Sequence, residues 1–222
     1  MINPLPQTLP VPASGPIDTS PISAADPAPS DLNALWRAVT PALRTRSNDV
    51  HVPISMAYAD RLCVAHPQAN ALVVRVAVLL HDTGWSRVDE DRIILEGFGP
   101  GGMTSAVRFE HEAAGCQIAR EVLPGLGHGE EFIDAVCAII DGHDTRPDPL
   151  SLEDALMKDA DRLWRFDRAG AALASGWLGI TPAAYLDRLA AEIPQLLTAA
   201  GLAIGTADLA RTRALLLADV LR

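Results

Sequence analysis

The sequence predicts an all-α fold, and three observations support this prediction. Ala and Leu, which have high helix propensity, are abundant, whereas aromatic residues make up only 5% of the chain. From about residue 48 onward, apolar residues recur at helical spacing and do not alternate as they would in strands. Hydrophobic residues make up 49% of the 222 residues, which is ample material for a buried core.

The composition also argues against several classes of function. The formal net charge is −10, so the chain lacks the general attraction to nucleic acid polymers and anionic membranes that a basic surface supplies. No apolar run has the length of a membrane span, and the first residues lack a signal pattern. Cys63, Cys116 and Cys137 form no CxxC pair, which argues against disulfides and thiolate zinc sites. We therefore predict a cytoplasmic chain that acts on a small molecule.

The order of predicted elements gives one helical domain behind a tail. Residues 1–30 contain proline too often for regular structure, so we predict a disordered tail and a single domain over 31–222. Asp31 is a plausible N-cap for the first helix. Helices are predicted over 32–39, 51–65, 69–82, 105–123, 130–142, 151–166, 182–200 and 206–221.

The helix over 69–82 and the connection after it are the most informative segments. Residues 69–82 are apolar on nearly every side, which is typical of a central buried helix, although the valines also fit a buried strand. Gly84 is predicted to end this helix. The connection over 86–104 contains the sequence FGPGG, and a glycine- and proline-rich connection of this length is usually functional or mobile.

Several histidines and aspartates lie on or beside the apolar stripes of predicted helices, where burying a polar side chain without a partner costs free energy. A single histidine on an apolar stripe is usually a hydrogen-bonded core residue, but an aspartate at the end of an apolar helix needs a compensating positive charge. The whole set therefore indicates a divalent cation, and imidazole nitrogen with carboxylate oxygen suits Mn, Fe, Co, Ni or Zn. The residues of this set are His51, His81, Asp82, His111, His143 and Asp161.

The order of these residues resembles the H…HD…D signature of the HD superfamily of metal-dependent phosphohydrolases, with His51, the pair His81-Asp82 and then Asp161. The neighbouring sequences AVLLHDTGW, HEAAGCQIAREVL, AIIDGHDTR and DALMKDADRLWRF are similar to helices of small bacterial HD hydrolases. The resemblance covers about residues 48–168. It implies an HD-domain helical bundle, to which residues 170–222 add C-terminal helices.

The resemblance implies a first metal ion held by His51, His81, Asp82 and Asp161. His111 and His143 match the additional histidines of members that bind a second ion, bridged by Asp82; the alternative is that they support a one-metal site or contact the substrate. Both readings are open from sequence. Asp159 cannot share the role of Asp161, because two positions along a helix correspond to a rotation of about 200°.

The function implied by the resemblance is hydrolysis of a phosphate ester or anhydride, with a nucleotide as the favoured substrate. Catalytic roles are predicted for Asp82, for Asp144 as a general acid or a residue that orients an imidazole, and for Lys158. Lys158 and then Arg146 are the first candidates to bind phosphate, and Arg162 and Arg108 are further ones.

The chain departs from the family pattern after the HD pair, and alternatives to a hydrolase are also open. Trp85 stands where many members have a lysine, which removes one cation expected near phosphate. An HD-fold di-iron oxygenase is the main alternative, but the four residues after Asp82 lack the further histidine that those enzymes add. A regulatory HD protein with a structural metal and a plain helical interaction module are less favoured. The Ala- and Leu-rich C-terminal helices could also form a homo-oligomer.

Overall fold

The computed structural model describes residues 32–93, 96 and 105–220, and all regular structure within these ranges is helical. The all-α prediction is therefore confirmed. The predicted tail, the predicted N-cap Asp31 of the first helix and the FGPGG sequence lie outside the described residues. The α-helices are α1 (Leu32–Val39), α2 (Asn48–Ala65), α3 (Ala71–Leu80), α4 (Glu90–Arg92), α5 (Ala106–Val122), α6 (Glu130–Ile140), α7 (Leu152–Leu163), α8 (Arg168–Leu178), α9 (Pro182–Glu192) and α10 (Ala199–Val220). Short 3-10 segments cover Ala42–Ser47, Thr83–Arg87, Pro124–Leu126, Trp164–Phe166 and Ile193–Gln195.

Helix α3 lies at the centre of the bundle and packs against α2, α6 and α7. Its valines and leucines from Val73 onward are buried on every side, so the segment is a central helix and not a strand. The Asn70 side chain begins the helix by accepting hydrogen bonds from the backbone N–H groups of residues 72 and 73. The last residues of α3 are buried in the core, and His81 and Asp82 follow them directly.

Gly84 is required by close packing and not by a left-handed backbone at a helix end. The described glycines with positive φ are Gly127, Gly142 and Gly179. A Cβ atom on Gly84 would lie 1.9 Å from the backbone oxygen of His111. The turn after Asp82 is therefore pressed directly against α5, a contact that helix-ending statistics do not predict.

The C-terminal helices differ from the prediction in three places. The helix predicted over 182–200 ends at Glu192 and is followed by the 3-10 segment Ile193–Gln195. Helix α8 was not predicted, because its run of small residues gives a weak periodic pattern; the Asp167 side chain caps it by accepting from the N–H of Ala169. Helix α10 continues through Gly201 and Gly205, where a break was predicted. A Cβ on Gly205 would lie 2.7 Å from a methyl carbon of Leu196, so this glycine permits close packing.

Buried hydrogen bonds join these C-terminal helices to the core. The Asp159 carboxylate accepts from the backbone N–H groups of residues 197 and 198, at 2.7 and 2.9 Å, and from the hydroxyl of Thr198 at 2.7 Å. The Asp208 carboxylate accepts from the Tyr58 hydroxyl at 2.9 Å and from Arg61 at 2.6 Å. Protein donors therefore satisfy both aspartates.

The sequence also predicted that the chain has no membrane span and no disulfide framework. Among the helices that the structure describes, none is long and apolar enough to cross a membrane. Cys63, Cys116 and Cys137 are free thiols, as the absence of a CxxC pair suggested.

Candidate metal centre

All six predicted ligands converge at one place beside the end of α3. His51 lies in the first turns of α2, His81 and Asp82 follow α3, and Asp161 lies near the end of α7. His111 lies in α5, and His143 follows α6 after Gly142, whose φ of 92° turns the chain there. Asp161 is partly exposed and the other five ligands are buried.

Asp82 lies between two pairs of histidines. Its Oδ2 atom is 3.3 Å from His51 Nδ1 and 3.7 Å from His81 Nε2. Its Oδ1 atom is 3.5 Å from His143 Nε2 and 3.6 Å from His111 Nε2. In each histidine pair, the candidate donor atoms and that of Asp82 lie within 4.8 Å of one another. The two oxygens of one carboxylate therefore face two separate groups of potential metal ligands.

The two groups differ in charge because Asp161 belongs to only one of them. Asp161 Oδ1 lies 2.8 Å from His51 Nε2 and 3.3 Å from His81 Nε2. We refer to His51, His81, Asp82 and Asp161 as the first group, and to Asp82, His111 and His143 as the second group. The first group has two carboxylates and the second has only the shared one.

The two histidines that follow helix ends have the same orientation. His81 Nδ1 donates to the backbone oxygen of Val78 at 2.7 Å, and His143 Nδ1 donates to that of Ile140 at 2.9 Å. Each Nε2 atom is thereby directed into the ligand cluster. The Nε2 atom of His81 is buried and makes no hydrogen bond to any residue that the structure describes. A buried nitrogen acceptor without a donor, directed at carboxylates and other imidazoles, fits a metal ion.

The other two histidines are held by tryptophan rings. His51 stacks on Trp164 at 4.6 Å between ring centroids, and His111 stacks on Trp85 at 3.8 Å with the planes 9° apart. The Trp85 Nε1 atom also donates to Asp82 Oδ1 at 3.0 Å. Trp85 therefore orients both the shared carboxylate and one histidine of the second group.

The carboxylates of the cluster are ionised in spite of burial. Burial by itself raises the pKa of Asp82, but His81, His143 and His51 hold it well below its usual value. Desolvation likewise opposes ionisation of Asp161, but its hydrogen bond with His51 and the nearby His81 hold its pKa well below its usual value. The buried carboxylate of Asp82 and the partly exposed one of Asp161 therefore stay charged together.

Imidazolium charge balances these carboxylates when no metal ion is bound. Burial disfavours the charged form of His51, but Asp161 and Asp82 raise its pKa to about 9. Asp82 and Asp144 likewise overcome burial and raise the pKa of His143 to about 10. His111 differs, because burial and the neighbouring His143 lower its pKa to about 3. The cluster needs positive charge, and a divalent cation bound by neutral imidazoles would supply it.

The family model of the HD domain matches residues 50–165, a span that contains all six of these ligands. The chain belongs to the HD-domain family. HD-domain proteins are mostly metal-dependent hydrolases, and the buried histidines and aspartates here fit a metal ion. No curated protein and no solved structure matches the chain in the other two comparisons.

Among the predicted substrate-binding residues, only Arg108 lies against the ligands of the HD domain. Arg108 Nη1 donates to Asp144 Oδ2 at 2.5 Å, and that oxygen is 3.8 Å from His111 Nε2. This separation is too long for a hydrogen bond, so Asp144 does not orient the imidazole of His111 in that way. Arg108 and Asp144 instead form an ion pair beside the second group.

Lys158 lies behind the site and not in it. Its ammonium group donates to the backbone oxygens of Gly142, His143 and Arg146 at 2.6, 2.9 and 2.9 Å. These three bonds use the three hydrogens of the ammonium group, and the residue is only 2% exposed. The predicted contact of Lys158 with phosphate is therefore replaced by a structural role, in which it holds the turn that carries His143.

Arg146 and Arg162 also donate hydrogen bonds to groups outside the ligand cluster, although Arg162 stays within electrostatic range of Asp161. Arg146 donates to the backbone oxygens of Ala138 and Asp141 and to the Asp154 carboxylate, so it joins the end of α6 to the start of α7. Arg162 donates to the backbone oxygen of Gln195 on the side of the C-terminal helices. Proximity in sequence to a ligand did not indicate the direction of these side chains.

The structure identifies supporting residues that were not predicted. Glu112 is fully buried and accepts from the backbone N–H groups of residues 144 and 145 and from the Thr145 hydroxyl. Asn48 donates to the backbone oxygen of Asp82 at 3.2 Å. Arg46 places its guanidinium 5.0 Å from the ring centroid of Trp85. These contacts involve turns, for which the sequence has no periodic signal.

Proposed function

We propose that this HD domain is a metal-dependent phosphohydrolase that cleaves a phosphate ester or anhydride of a small molecule, with a nucleotide as the favoured class. The observation that supports this best is the position of Asp82, whose two oxygens face the two histidine pairs. A carboxylate shared by two nitrogen-rich groups suits a pair of divalent ions, as in many enzymes that act on phosphate esters.

The donor atoms suit Mn, Fe, Co, Ni or Zn, because they are imidazole nitrogens and carboxylate oxygens without thiolates. We expect the first group to bind its ion more tightly, since it has the additional carboxylate of Asp161. When bound, the ions would lower the pKa of a coordinated water and offset charge on the phosphoryl oxygens.

Three side chains of the chain have proposed roles around the phosphoryl group. Arg108 is buried beside the second group and would hydrogen-bond to phosphoryl oxygens. Asp144 is partly exposed next to it and would exchange a proton with the leaving group. Lys158 would act as a positioning residue, because it holds the turn that carries His143 and Asp144.

The proposed partner is one small phosphorylated substrate. The net charge of −10 disfavours a nucleic acid polymer or an anionic membrane. One chain provides all six ligands, so a homo-oligomer would not be needed to complete the centre. A cytoplasmic location, where phosphorylated metabolites are available, belongs to the same proposal.

A di-iron oxygenase is the second candidate, because a shared carboxylate also suits two irons. Those enzymes typically have a further histidine shortly after the HD pair, whereas this turn has Thr83 and Trp85. Thr83 donates to the backbone oxygen of Leu80, and Trp85 donates to Asp82. No further imidazole is provided there. Iron content with oxygen consumption, and without phosphate release, would favour the oxygenase.

The experiment that tests the function is an assay of phosphate and pyrophosphate release by protein purified without added metal. Nucleoside mono-, di- and triphosphates and simple phosphomonoesters are supplied with Mn, Fe, Co, Ni, Zn or Mg in turn. Asp82→Ala should abolish release, whereas Asp49→Ala, an exposed aspartate at the start of α2, should not. Protein that binds metal but releases phosphate from none of these substrates would contradict the hydrolase proposal.

A further inference from the structure

Arg46 has a backbone conformation that calls for an explanation. Arg46 and Ser47 have φ values of 57° and 61°, and they are the described non-glycine residues with positive φ. Left-handed backbone is unfavourable for residues with a Cβ, and two such residues in succession are rare. They lie immediately before α2, which carries His51. Strain of this kind is often found where a side chain must be directed into a functional site.

The guanidinium of Arg46 lies between two tryptophan rings at the rim of the metal centre. Its Cζ atom is 5.0 Å from the ring centroid of Trp85 and 5.5 Å from that of Trp177. Trp85 stacks on His111, which belongs to the second group. Trp177 contacts Trp164, which stacks on His51 of the first group. The guanidinium of Arg46 thus joins two stacks of rings, one that ends at His111 and one that ends at His51.

The charges around Arg46 belong to the same site. Burial lowers the pKa of Arg46, while the carboxylates of Asp82, Asp144 and Asp161 act in the opposite direction and Arg108 adds to the lowering. Two guanidinium groups and three carboxylates therefore lie within electrostatic range of one another. With neutral imidazoles, a single divalent ion makes this set of charges net positive. The loaded site then favours an anion next to the metal, and a dianion most strongly.

We propose that Arg46, held between Trp85 and Trp177, binds the phosphoryl group of a phosphomonoester beside the metal centre. A planar guanidinium can give two parallel hydrogen bonds to phosphoryl oxygens, and the flanking rings fix its plane. Arg46 thus provides a cation near the site, where Trp85 replaces the lysine that many family members have after Gly84. This inference rests on the proposed hydrolase function and assigns a specificity-determining residue to it.

The test is calorimetric titration of inorganic phosphate into manganese-loaded protein, after the metal content of each variant has been measured. Arg46→Ala should weaken phosphate binding on the order of 10- to 100-fold without loss of metal. Arg46→Lys should give an intermediate affinity, since it keeps the charge but loses the planar group. Arg44→Ala, an exposed arginine in the same 3-10 segment, is the matched control and should bind as the unmodified protein does.

Trp177 tests whether the rings position Arg46. Trp177→Ala alone should weaken phosphate binding by about 2- to 5-fold. In the Arg46→Ala background the same change should have no further effect, because Trp177 acts only through Arg46. Additive effects of the two substitutions would contradict that positioning role.

The outcomes separate this inference from the proposed function. Phosphate binding that is unchanged in folded, metal-loaded Arg46→Ala and Arg46→Lys overturns the assignment of Arg46 and leaves the hydrolase proposal standing. A manganese-loaded unmodified protein that does not bind phosphate overturns the inference, whereas the hydrolase proposal is overturned only if the release assay also finds no substrate. Loss of metal from Arg46→Ala, with Arg44→Ala intact, would instead make Arg46 part of the structure of the centre and contradict the inference.

Discussion

Two aspartates on helix α7, only two residues apart, have different surroundings: Asp159 is fully buried and Asp161 is partly exposed. Asp159 faces the C-terminal helices, where backbone N–H groups and the Thr198 hydroxyl satisfy its oxygens. Asp161 faces the opposite side, where its Oδ1 atom lies next to the imidazoles of His51 and His81. The protein itself completes the surroundings of Asp159, whereas those of Asp161 consist of other potential metal ligands.

The pKa directions of the two residues reflect this difference. Burial raises the pKa of Asp159, and its hydrogen bonds offset this only in part. For Asp161 the neighbouring histidines outweigh burial and hold the pKa well below its usual value. A buried carboxylate is therefore evidence of a metal site only when its partners are themselves ligands that need a cation.

The largest expected effect comes from exchanging each aspartate for asparagine. Asp161→Asn removes a charged ligand of the first group, so metal-dependent activity should fall by about 100-fold or more. Asp159→Asn should leave activity per folded molecule intact but lower the free energy of unfolding by about 1–3 kcal/mol, because donors in the core lose an acceptor. Metal-dependent activity and the free energy of unfolding in denaturant are measured for both variants. Equal loss of activity in the two would contradict the distinction.

Removal of metal should lower the free energy of unfolding, and the loss should depend on the residues of the first and second groups and not on Asp159. At a free metal concentration of about 100 times Kd, binding to the native state adds about 2.7 kcal/mol to the free energy of unfolding. A chelator should therefore lower the melting temperature of the unmodified protein and of Asp159→Asn. The same treatment should affect Asp161→Asn much less, which differential scanning calorimetry would reveal.

Two glycines permit close contacts in the two regions. A Cβ on Gly84 would lie 1.9 Å from the His111 backbone oxygen, and a Cβ on Gly201 would lie 2.3 Å from Asp159 Oδ2. Each change to alanine should cost about 1–3 kcal/mol of stability. Only Gly84→Ala should also weaken metal binding, because it displaces the turn that carries Asp82 and Trp85. Gly125→Ala, with open space around its Cβ, is the control for chemical denaturation and metal titration.

A smaller effect is expected from the second buried aspartate near the C-terminal helices. Tyr58→Phe removes one donor to Asp208 while Arg61 remains. The free energy of unfolding should fall by about 1 kcal/mol. Metal affinity, measured by calorimetry, should not change, and a clear change would indicate that the two regions are coupled.

The smallest expected effect concerns a buried histidine that has no carboxylate partner. His128 stacks on Phe132, and neither of its ring nitrogens has a hydrogen-bond partner in the described part of the chain. Burial lowers its pKa, in contrast to His51 and His143, whose pKa values the carboxylates raise. Because the unfolded chain then binds the proton more strongly, His128 should reduce stability as pH falls below about 6.5. Unfolding of His128→Leu at pH 5 and pH 7, compared with the unmodified protein, should show a weaker pH dependence.

The sequence indicated the helical fold and the six residues that the structure brings together as potential ligands, because both depend on local patterns. The ligands follow or interrupt apolar helical stripes, and their order matches a family signature. The supporting residues could not be predicted in the same way. The directions of Lys158 and Arg146 depend on backbone oxygens of a turn, and Trp177 lies on α8, a helix whose small residues gave no periodic pattern. Contacts made across turns and between distant helices need the folded chain.

The stacking of tryptophans on histidines has a consequence for spectroscopy. Trp164 contacts His51 of the first group, and Trp85 contacts His111 of the second. Indole emission is quenched by nearby paramagnetic ions, so each group has its own intrinsic fluorophore. Trp36 and Trp177 emit as well, so they would be replaced by phenylalanine together with one of these two tryptophans, which leaves the other to report on its own group. The order in which the two groups fill could then be followed optically in the unlabelled protein.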